Sequence, residues 1–361
     1  MKIAYIANIR FPTEKAHGIQ IAKTCEALAA LGHAVELLVT NRKTDIDEDA
    51  FTYYGVRENF SVSRVNVPDV VAFGKIAFFF ESVVFALRVR KRMNSEKPDI
   101  VYGRDELVLS LLGSVPLAWE THTGTWNPFA RYVSRRAKRI IAISEGLRTY
   151  YMRRGIPAER IAVAPDGIDI EQFSIAEDKH MARERLGIPQ EEAVALYAGR
   201  LDGWKGVETL FRAAALLPGI RVVVIGGEPK QIAGFRDLYP SILFLGQRPY
   251  TELSRNLSAA DVLVLPNTGT DRVSAHFTSP LKLFAYMASS RPIVASDLPS
   301  IREVVDEHSA VLVAPDSPEA LATGIRQALR SGEAISESAR ARVQAYSWKS
   351  RAERILTALS T

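Results

Sequence analysis

Short apolar runs alternate with segments of helical periodicity along the whole chain. The runs are rich in Val, Ile, Leu and Ala, and most of them precede an amphipathic segment. This alternation is typical of parallel sheets covered by helices. We predict strands at 2–8, 33–39, 99–102, 115–120, 139–143 and 160–164 in the first half, and at 194–198, 221–225, 242–245, 261–265, 292–295 and 310–313 in the second.

The strands fall into two sets, which predicts two doubly wound α/β domains in tandem. A cluster of turn-forming residues at 165–169 separates the sets, so we place the first domain at 1–170 and begin the second at 171. Ligands bind at the carboxyl ends of parallel strands in such sheets. The chemistry is therefore expected in a central cleft that the two domains face.

The composition excludes disordered and collagen-like classes, because 47% of the 361 residues are hydrophobic and 24% are charged. The single cysteine, Cys25, cannot form an internal disulfide, and the first residues lack the pattern of a signal peptide. The longest apolar run, 76–87, is interrupted by Glu81 and Ser82 and is shorter than the roughly 20 residues of a spanning helix. We expect a cytoplasmic protein that is not integral to the membrane.

Positive charge is concentrated in the first half. Residues 1–170 carry 24 Lys and Arg against 19 Asp and Glu, which accounts for the whole net charge of +5. Such a field suggests anionic lipid, a phosphorylated acceptor or nucleic acid as a partner, and the alternative is a solvated surface. No basic stretch is interleaved with aromatic residues, so we expect no nucleic-acid partner. The densest cations are Arg131, Arg135, Arg136, Lys138, Arg139, Arg148, Arg153, Arg154 and Arg160.

The segment 74–92 combines a bulky apolar surface with a basic end. Such a helix could rest on an anionic bilayer, at the inner face of the membrane, with its aromatic side chains inserted and its cations at the headgroups. The alternative is a core helix of the first domain with a solvated basic end. The residues concerned are Phe78, Phe79, Phe80, Val83, Val84, Phe85 and Leu87, followed by Arg88, Arg90, Lys91 and Arg92.

A glycine-rich turn follows the first strand of the second half. The sequence from Gly199 to Gly206 joins strand 194–198 to a predicted helix from Val207, and it contains Arg200 and Lys205. Glycines let the backbone approach a ligand, and free N–H groups at a helix start attract anions. Two cations beside a diphosphate would bind it and stabilise the charge of the leaving group without a metal. The alternative is that both cations are solvated loop residues.

Two further loops follow strands of the first half. Gly18 would let the loop after the first strand approach a sugar or a diphosphate, whereas His17 is interpreted as a polar loop or cap residue. His122 follows another apolar strand, where an imidazole can hydrogen bond a sugar hydroxyl or a developing charge. A structural histidine is the alternative at that position.

A third cluster lies at 278–287 in the second half. Ser279 and Pro280 predict an N-cap and a first helical residue, so the N–H groups of Leu281, Lys282 and Leu283 would be free to meet an anion. This would be the second half of a diphosphate cradle. Spacings of metal ligands and of serine or cysteine nucleophiles are absent from the sequence, and we expect neither a metal nor a cofactor.

These clusters, in this order, resemble glycosyltransferase family 4, a group of retaining enzymes with the GT-B fold. The resemblance implies two tandem Rossmann-like doubly wound domains, a second domain at 171–345, and a C-terminal helix at 346–361 that crosses back to the first. It also implies transfer of a sugar from a nucleotide diphosphate-sugar to a glycan or lipid-linked acceptor. The residues that carry the likeness lie at 143–145, 165–169, 198–201, 205–206, 224–227, 260–266, 279–284, 292–296 and 346–348.

The resemblance also assigns roles to individual residues. It implies catalytic roles for Arg200 and Lys205 at the donor diphosphate and for His122 at the donor sugar. The implied donor-binding residues are Gly18, Gly199, Gly227, Gly246, Arg248, Ser279, Pro280, Leu281 and Ala285.

One position departs from the family pattern. The glutamate that holds the ribose hydroxyls in the family corresponds to Ala285, and the position eight residues earlier is Phe277. Losing those hydrogen bonds would cost roughly 1 to 3 kcal/mol of donor binding. The ribose contact could come from elsewhere, the substitution could have been introduced to disable the enzyme, or catalysis could be lost. A nucleotide-sugar binding protein without turnover is therefore the rival prediction, and another GT-B activity, such as epimerisation or phosphorolysis, is a third.

Overall fold

The computed structural model describes residues 1–173 and 177–360. Residues 174–176 and 361, which fall within the predicted second domain and C-terminal helix, lie outside the described residues. The strands are Lys2–Ala7 (β1), Ala34–Thr40 (β2), Ser61–Val65 (β3), Ile100–Gly103 (β4), Leu117–Thr121 (β5), Arg139–Ala142 (β6), Ile161–Val163 (β7), Ala193–Ala198 (β8), Ile220–Ile225 (β9), Leu243–Gly246 (β10), Val262–Leu265 (β11), Ile293–Ser296 (β12) and Val311–Val313 (β13).

Helices follow most of the strands, as the alternating pattern predicts. Short 3₁₀ and π segments complete the loops, among them Gly203–Lys205 and Val273–Phe277. The α-helices are Ala16–Ala30 (α1), Ala50–Tyr54 (α2), Lys75–Glu96 (α3), Glu106–Ser110 (α4), Pro128–Arg136 (α5), Glu145–Met152 (α6), Lys179–Leu186 (α7), Val207–Ala214 (α8), Pro229–Leu238 (α9), Leu253–Leu257 (α10), Leu281–Ala288 (α11), Pro299–Arg302 (α12), Pro318–Ser331 (α13), Glu333–Val343 (α14) and Trp348–Ser360 (α15).

The described chain divides into two compact units. The first contains residues 1–165 and the C-terminal segment from Trp348, and the second contains Asp166–Ser347. The division falls after Pro165 rather than after residue 170, because the intervening residues contact the second unit. Within it, the Asp166 N–H donates to Ser279 Oγ at 2.9 Å, and Ile168 forms a parallel bridge with Ser347.

The first unit is built on a parallel sheet. Among the described residues it has seven strands in the order β3-β2-β1-β4-β5-β6-β7. Its central strands are buried, and Tyr5, Tyr102 and Trp119 are among the largest enclosed side chains. The predicted strands of this half are confirmed, but β3 was missed. It is an edge strand with mostly exposed or half-buried side chains, so its sequence, Ser-Val-Ser-Arg-Val, shows no apolar run.

The second unit is built on a parallel sheet of six strands among the described residues, in the order β10-β9-β8-β11-β12-β13. All the strands predicted for this half are confirmed. An apolar core lies on each side of the sheet, because side chains alternate along β8: Leu196 and Ala198 join one core, and Ala195 and Tyr197 join the other. The fold class predicted from the sequence, two doubly wound parallel α/β domains, is confirmed.

Helix α15 packs on α1, β6 and β7 of the first unit. Arg351, on this helix, is 2% exposed and donates to Glu120 Oε2 at 2.7 Å and to the carbonyl groups of Ala164 and Pro165. A buried guanidinium with several acceptors positions the C-terminal helix on the sheet.

Helix α3 has two apolar faces. Phe85, Val89 and Met93 are buried against the unit, as the core-helix alternative expects. A second apolar stripe is exposed to solvent. Its exposed members are Ile76, Phe79, Phe80 and Leu87, and Phe73 precedes it. Among the described residues, no helix is long and apolar enough to span a bilayer.

Several of the basic residues at 131–160 serve as internal donors. Arg136 donates to the carbonyl groups of Leu109 and Val115, Lys138 donates to that of Leu359, and Arg160 donates to those of Ser134, Arg135 and Ala137. These bonds close helix ends and loops within the unit. They favour a structural surface over an anion-binding one for this part of the chain.

Candidate functional site

Two groups of polar side chains lie at the carboxyl ends of the two sheets. We call them the glycine-turn cluster (Gly199, Arg200, Lys205 and Lys282), in the second unit, and the histidine cluster (His17, Arg104, Glu120 and His122), in the first. Each is described within its own unit.

The glycine-turn cluster begins where β8, β9 and β10 end side by side. The Gly199 N–H donates to the Ile225 carbonyl at 2.8 Å, and the Gly226 N–H donates to the Gly246 carbonyl at 2.7 Å. A Cβ atom on Gly226 would lie 2.1 Å from the Gly199 carbonyl oxygen, and φ at Gly226 is +118°. Only glycine permits this close packing of three strand ends.

The predicted cations Arg200 and Lys205 lie on the turn after β8. Arg200 forms an ion pair with Asp202, with Nε 3.1 Å from Oδ2, and its side chain is half exposed. Burial lowers the pKa of Lys205 to about 8, although Asp202 counteracts part of this effect. The ammonium group of Lys205 lies 3.4 Å from the centre of the Trp204 ring.

The loop before α11 closes the other side of this cluster. A Cβ atom on Gly206 would lie 1.9 Å from the Pro266 carbonyl oxygen, so the β8 turn touches the loop that follows β11. Helix α11 begins at Leu281, one residue later than expected, and Ser279 does not cap it. The Ser279 hydroxyl instead accepts the Asp166 N–H, which corrects the predicted N-cap.

The same helix start corrects the predicted set of free amides. The Leu283 N–H donates to the Pro280 carbonyl at 2.8 Å and is therefore already used. The amides of Leu281 and Lys282 occupy the first turn, where a helix has no carbonyl partners of its own. They remain candidate anion donors.

The other predicted donor-binding residues lie at strand ends of the second unit or in its core. Gly227 has φ +87° and packs on Leu201, and Gly246 has φ +72°, where a Cβ atom would lie 4.0 Å from Ile232 Cδ1. Arg248 is exposed. Ala285 is 1% exposed and belongs to the apolar core that contains Leu196.

The histidine cluster is centred on Glu120, a carboxylate with no exposed surface on β5. It accepts hydrogen bonds from the Tyr102 hydroxyl, from Arg351 Nη2 at 2.7 Å and from His122 Nε2 at 2.6 Å, and Arg104 Nε lies 3.1 Å away. Burial acts to raise the pKa of Glu120, but Arg351 and Arg104 outweigh it and hold the pKa well below the usual range. The carboxylate is therefore ionised.

His122 is neutral in this setting. Burial and the charge of Arg104 lower its pKa to about 4, despite the hydrogen bond to Glu120. An ionised Glu120 can only accept, so Nε2 of His122 carries the proton. Nδ1 is then a hydrogen-bond acceptor, which suits a sugar hydroxyl and not a negative charge.

His17 and Gly18 lie at the start of α1. Burial, Arg104 and Lys15 lower the pKa of His17 to about 4. Gly18 has a packing role, because a Cβ atom there would lie 2.1 Å from the Tyr54 hydroxyl. Its contact with a donor stays a prediction.

Sequence reasoning missed the side chains of Arg104, Glu120 and Lys282 as functional candidates, although it had named the backbone N–H of Lys282. Glu120 had a visible signal, since it is a lone carboxylate in an otherwise apolar strand, on the same face as His122. The only signal for Arg104 is its position after an apolar strand, and the only signal for Lys282 is its position at a helix start.

Family models match both halves of the chain. The description "Glycosyltransferase Family 4" matches residues 18–172, and "Glycosyl transferases group 1" matches residues 192–331. Among curated proteins, D-inositol 3-phosphate glycosyltransferase of Corynebacterium urealyticum is 32% identical over 219 residues, which are 55% of this chain and 50% of that protein. The same enzyme of Mycobacterium marinum is 29% identical over 57% of this chain and 46% of its own length. The chain thus spans about half the length of the curated relatives it matches.

Solved structures share the fold over the whole chain. Sucrose-phosphate synthase of Thermosynechococcus elongatus has a TM-score of 0.80 at 21% identity and covers 99% of this chain and 97% of its own. Anabaena HepE in complex with UDP and glucose has a TM-score of 0.75 at 19% identity, with 100% of both chains covered. Because the two glycosyltransferase models together match most of its length and its fold is GT-B, the chain belongs to the glycosyltransferases that these models describe, with a family 4 domain followed by a group 1 domain.

Proposed function

We propose that the protein is a retaining glycosyltransferase that moves a sugar from a nucleotide diphosphate-sugar to a glycan or lipid-linked acceptor, with no metal and no cofactor. One observation carries the proposal: Arg200 and Lys205 lie on the glycine-rich turn at the carboxyl end of β8, and the first turn of α11 packs against that turn. Cations fixed at that point suit a diphosphate.

The cations of the glycine-turn cluster serve the departing group. As the bond from the anomeric carbon to the diphosphate breaks, negative charge grows on the phosphate oxygens, and fixed cations stabilise it. The acceptor oxygen bonds to the anomeric carbon, and its proton passes to the leaving diphosphate. Positive charge from side chains takes the part that a metal ion plays in other transferases. Retention is inferred from the family resemblance.

His122 contributes as a neutral acceptor. Its Nε2–H is committed to Glu120 at 2.6 Å, so Nδ1 can accept a hydrogen bond from a hydroxyl of the sugar. This role orients the sugar without adding charge. Arg104 and Arg351 act indirectly by keeping Glu120 ionised.

A panel of UDP-, GDP- and ADP-sugars tests the activity, with release of the nucleoside diphosphate measured in the presence of EDTA. UDP-glucose comes first, because HepE of the same fold was solved with UDP-glucose, and with UDP and glucose. The proposal is supported if the protein releases the nucleoside diphosphate and Lys205→Ala abolishes that release. Binding of a donor without hydrolysis or transfer would favour the alternative function, a nucleotide-sugar binding protein. That alternative is based on Ala285 at the position of the family glutamate.

We also propose that the protein associates peripherally with an anionic membrane surface through α3. In the exposed second stripe of α3, Ile76 is 88% exposed and Phe79 and Phe80 lie beside it, and Phe73, which precedes the stripe, is 83% exposed. Cations flank this stripe at Lys75 and at the basic end of the helix. Aromatic side chains between cations are complementary to an interface of acyl chains and acidic headgroups.

A further inference from the structure

Lys282 is a third cation of the glycine-turn cluster. It lies in the first turn of α11, and its Nζ donates to the Tyr197 hydroxyl at 2.7 Å. A Cβ atom on Gly199 would lie 2.6 Å from that Nζ. The ammonium group therefore lies directly on the turn that follows β8, although Lys282 is far from that turn in the sequence.

Tyr197 fixes the position of this ammonium group. Its hydroxyl donates to the Arg200 carbonyl at 2.7 Å, so its oxygen accepts a hydrogen bond from Lys282. The Lys282 Nζ also lies 4.0 Å from the centre of the Tyr197 ring. One of the three N–H bonds of Lys282 is used in this way, and among the described residues no other hydrogen-bond acceptor contacts the group.

The charges around Lys282 do not balance. Asp202 is paired with Arg200, and neither Lys205 nor Lys282 forms an ion pair among the described residues. Lys205 and Lys282 repel each other, and burial also lowers the pKa of both. Asp202 offsets part of this effect at both lysines, but two partly buried ammonium groups without an ion-pair partner among the described residues cost free energy, which a bound polyanion would recover.

We propose that Lys282 contacts the diphosphate of the donor directly, as a third cation beside Arg200 and Lys205. This inference rests on the proposed function, because it names a further contact of the same site. A purely structural role, in which Lys282 only ties α11 to β8 through Tyr197, is the competing explanation. The two differ in whether a loss of Lys282 affects diphosphate binding more than nucleoside binding.

The experiment is calorimetric titration of the full chain with inorganic pyrophosphate, with UDP, GDP and ADP, and with the nucleoside of the diphosphate that binds best. Lys282→Met should weaken binding of pyrophosphate and of that nucleoside diphosphate by about tenfold or more, the usual effect of losing a charged hydrogen bond. Binding of the nucleoside should stay within twofold. Arg330→Met removes an exposed cation at the far end of α13 and should change nothing.

Tyr197→Phe separates the two explanations if Lys282→Met folds poorly. It removes the hydrogen bond that ties α11 to β8 but keeps the charge, so affinity for pyrophosphate should fall by less than about tenfold with nucleoside binding unchanged, whereas a purely structural role predicts equal losses for both. Unchanged pyrophosphate affinity in folded Lys282→Met, or an equal loss for the nucleoside, would overturn the inference alone. Failure of the wild-type chain to bind pyrophosphate or any of the three nucleotides would overturn the proposed function itself.

Discussion

Nε2 of His122 donates a hydrogen bond to Oε1 of Glu120 across 2.6 Å, in a part of the first sheet where Glu120 has no exposed surface. The same carboxylate receives Arg351 from the C-terminal helix. One buried charge thus determines the tautomer of a candidate site residue and the docking of α15.

Glu120→Gln should lower the free energy of unfolding by about 3 to 5 kcal/mol, because it removes the buried negative charge that pairs with Arg104 and Arg351. Urea denaturation followed by circular dichroism measures the change. Glu145→Gln, at a half-exposed carboxylate whose ion pair with Arg148 spans 3.4 Å, is the control and should change stability by less than about 1 kcal/mol. Equal stabilities of the two variants would contradict the role assigned to Glu120.

His122 should support transfer at pH values where an ordinary histidine is protonated. Its pKa is about 4, so the neutral acceptor form is present above that pH and is lost only as the pH falls through it. The ratio of kcat/KM for wild type to that for His122→Gln should stay constant from pH 7.5 to about 5.5 and decline below about 5. A ratio that falls through pH 6.5 would show an unshifted histidine.

Arg200→Ala and Lys205→Ala should each lower kcat/KM by about 10²-fold or more, the scale of losing one electrostatic stabiliser of the leaving group. Melting temperatures should change little, because both side chains lie on a turn and Arg200 is half exposed. Arg212→Ala, an exposed cation on α8, is the matched control. Near-normal kinetics in folded Lys205→Ala would remove Lys205 from the site.

Ala285→Glu tests the departure from the family pattern. A carboxylate able to accept the ribose hydroxyls should tighten binding of the nucleoside diphosphate by about tenfold, equivalent to about 1.4 kcal/mol. The position is 1% exposed, so a loss of stability of about 1 to 3 kcal/mol is expected in the ligand-free protein. Ala285→Gln, whose side chain has the same size as that of Ala285→Glu but no charge, is the control. Weaker binding by folded Ala285→Glu would mean that the pocket is built around the alanine.

The full chain should co-sediment with vesicles that contain phosphatidylglycerol at low salt and should be released at high salt. Phe79→Ser with Phe80→Ser, or Arg88, Arg90 and Lys91 changed together to Gln, should each reduce binding several-fold. Arg92 is left unchanged because it pairs with Glu36 and Glu96. Leu238→Ser, at an exposed apolar residue of the second unit, is the control. No binding to these vesicles at low salt would refute the membrane proposal.

The periodicity of apolar residues was enough to predict the two sheets and most of their strands. Buried parallel strands need continuous apolar runs on both faces, and such runs are visible without any knowledge of contacts. Strand β3 escaped this reasoning because an edge strand is paired by its backbone, and its side chains at Ser61 and Ser63 need not be apolar. The glycine turn at 199–206 was predictable because a strand, glycines and a helix start are all local features.

The side chains that gather around that turn were decided only by the tertiary structure. Lys282 meets Tyr197 because β11, which leads to α11, pairs with β8 in the sheet, and no local pattern specifies the order of parallel strands. Arg104 and Arg351 meet Glu120 for the same reason, from separate elements that the sheet and the C-terminal helix bring together. A sequence shows which residues can carry charge, but the pKa of each group depends on burial and neighbours, and only the packed chain supplies those.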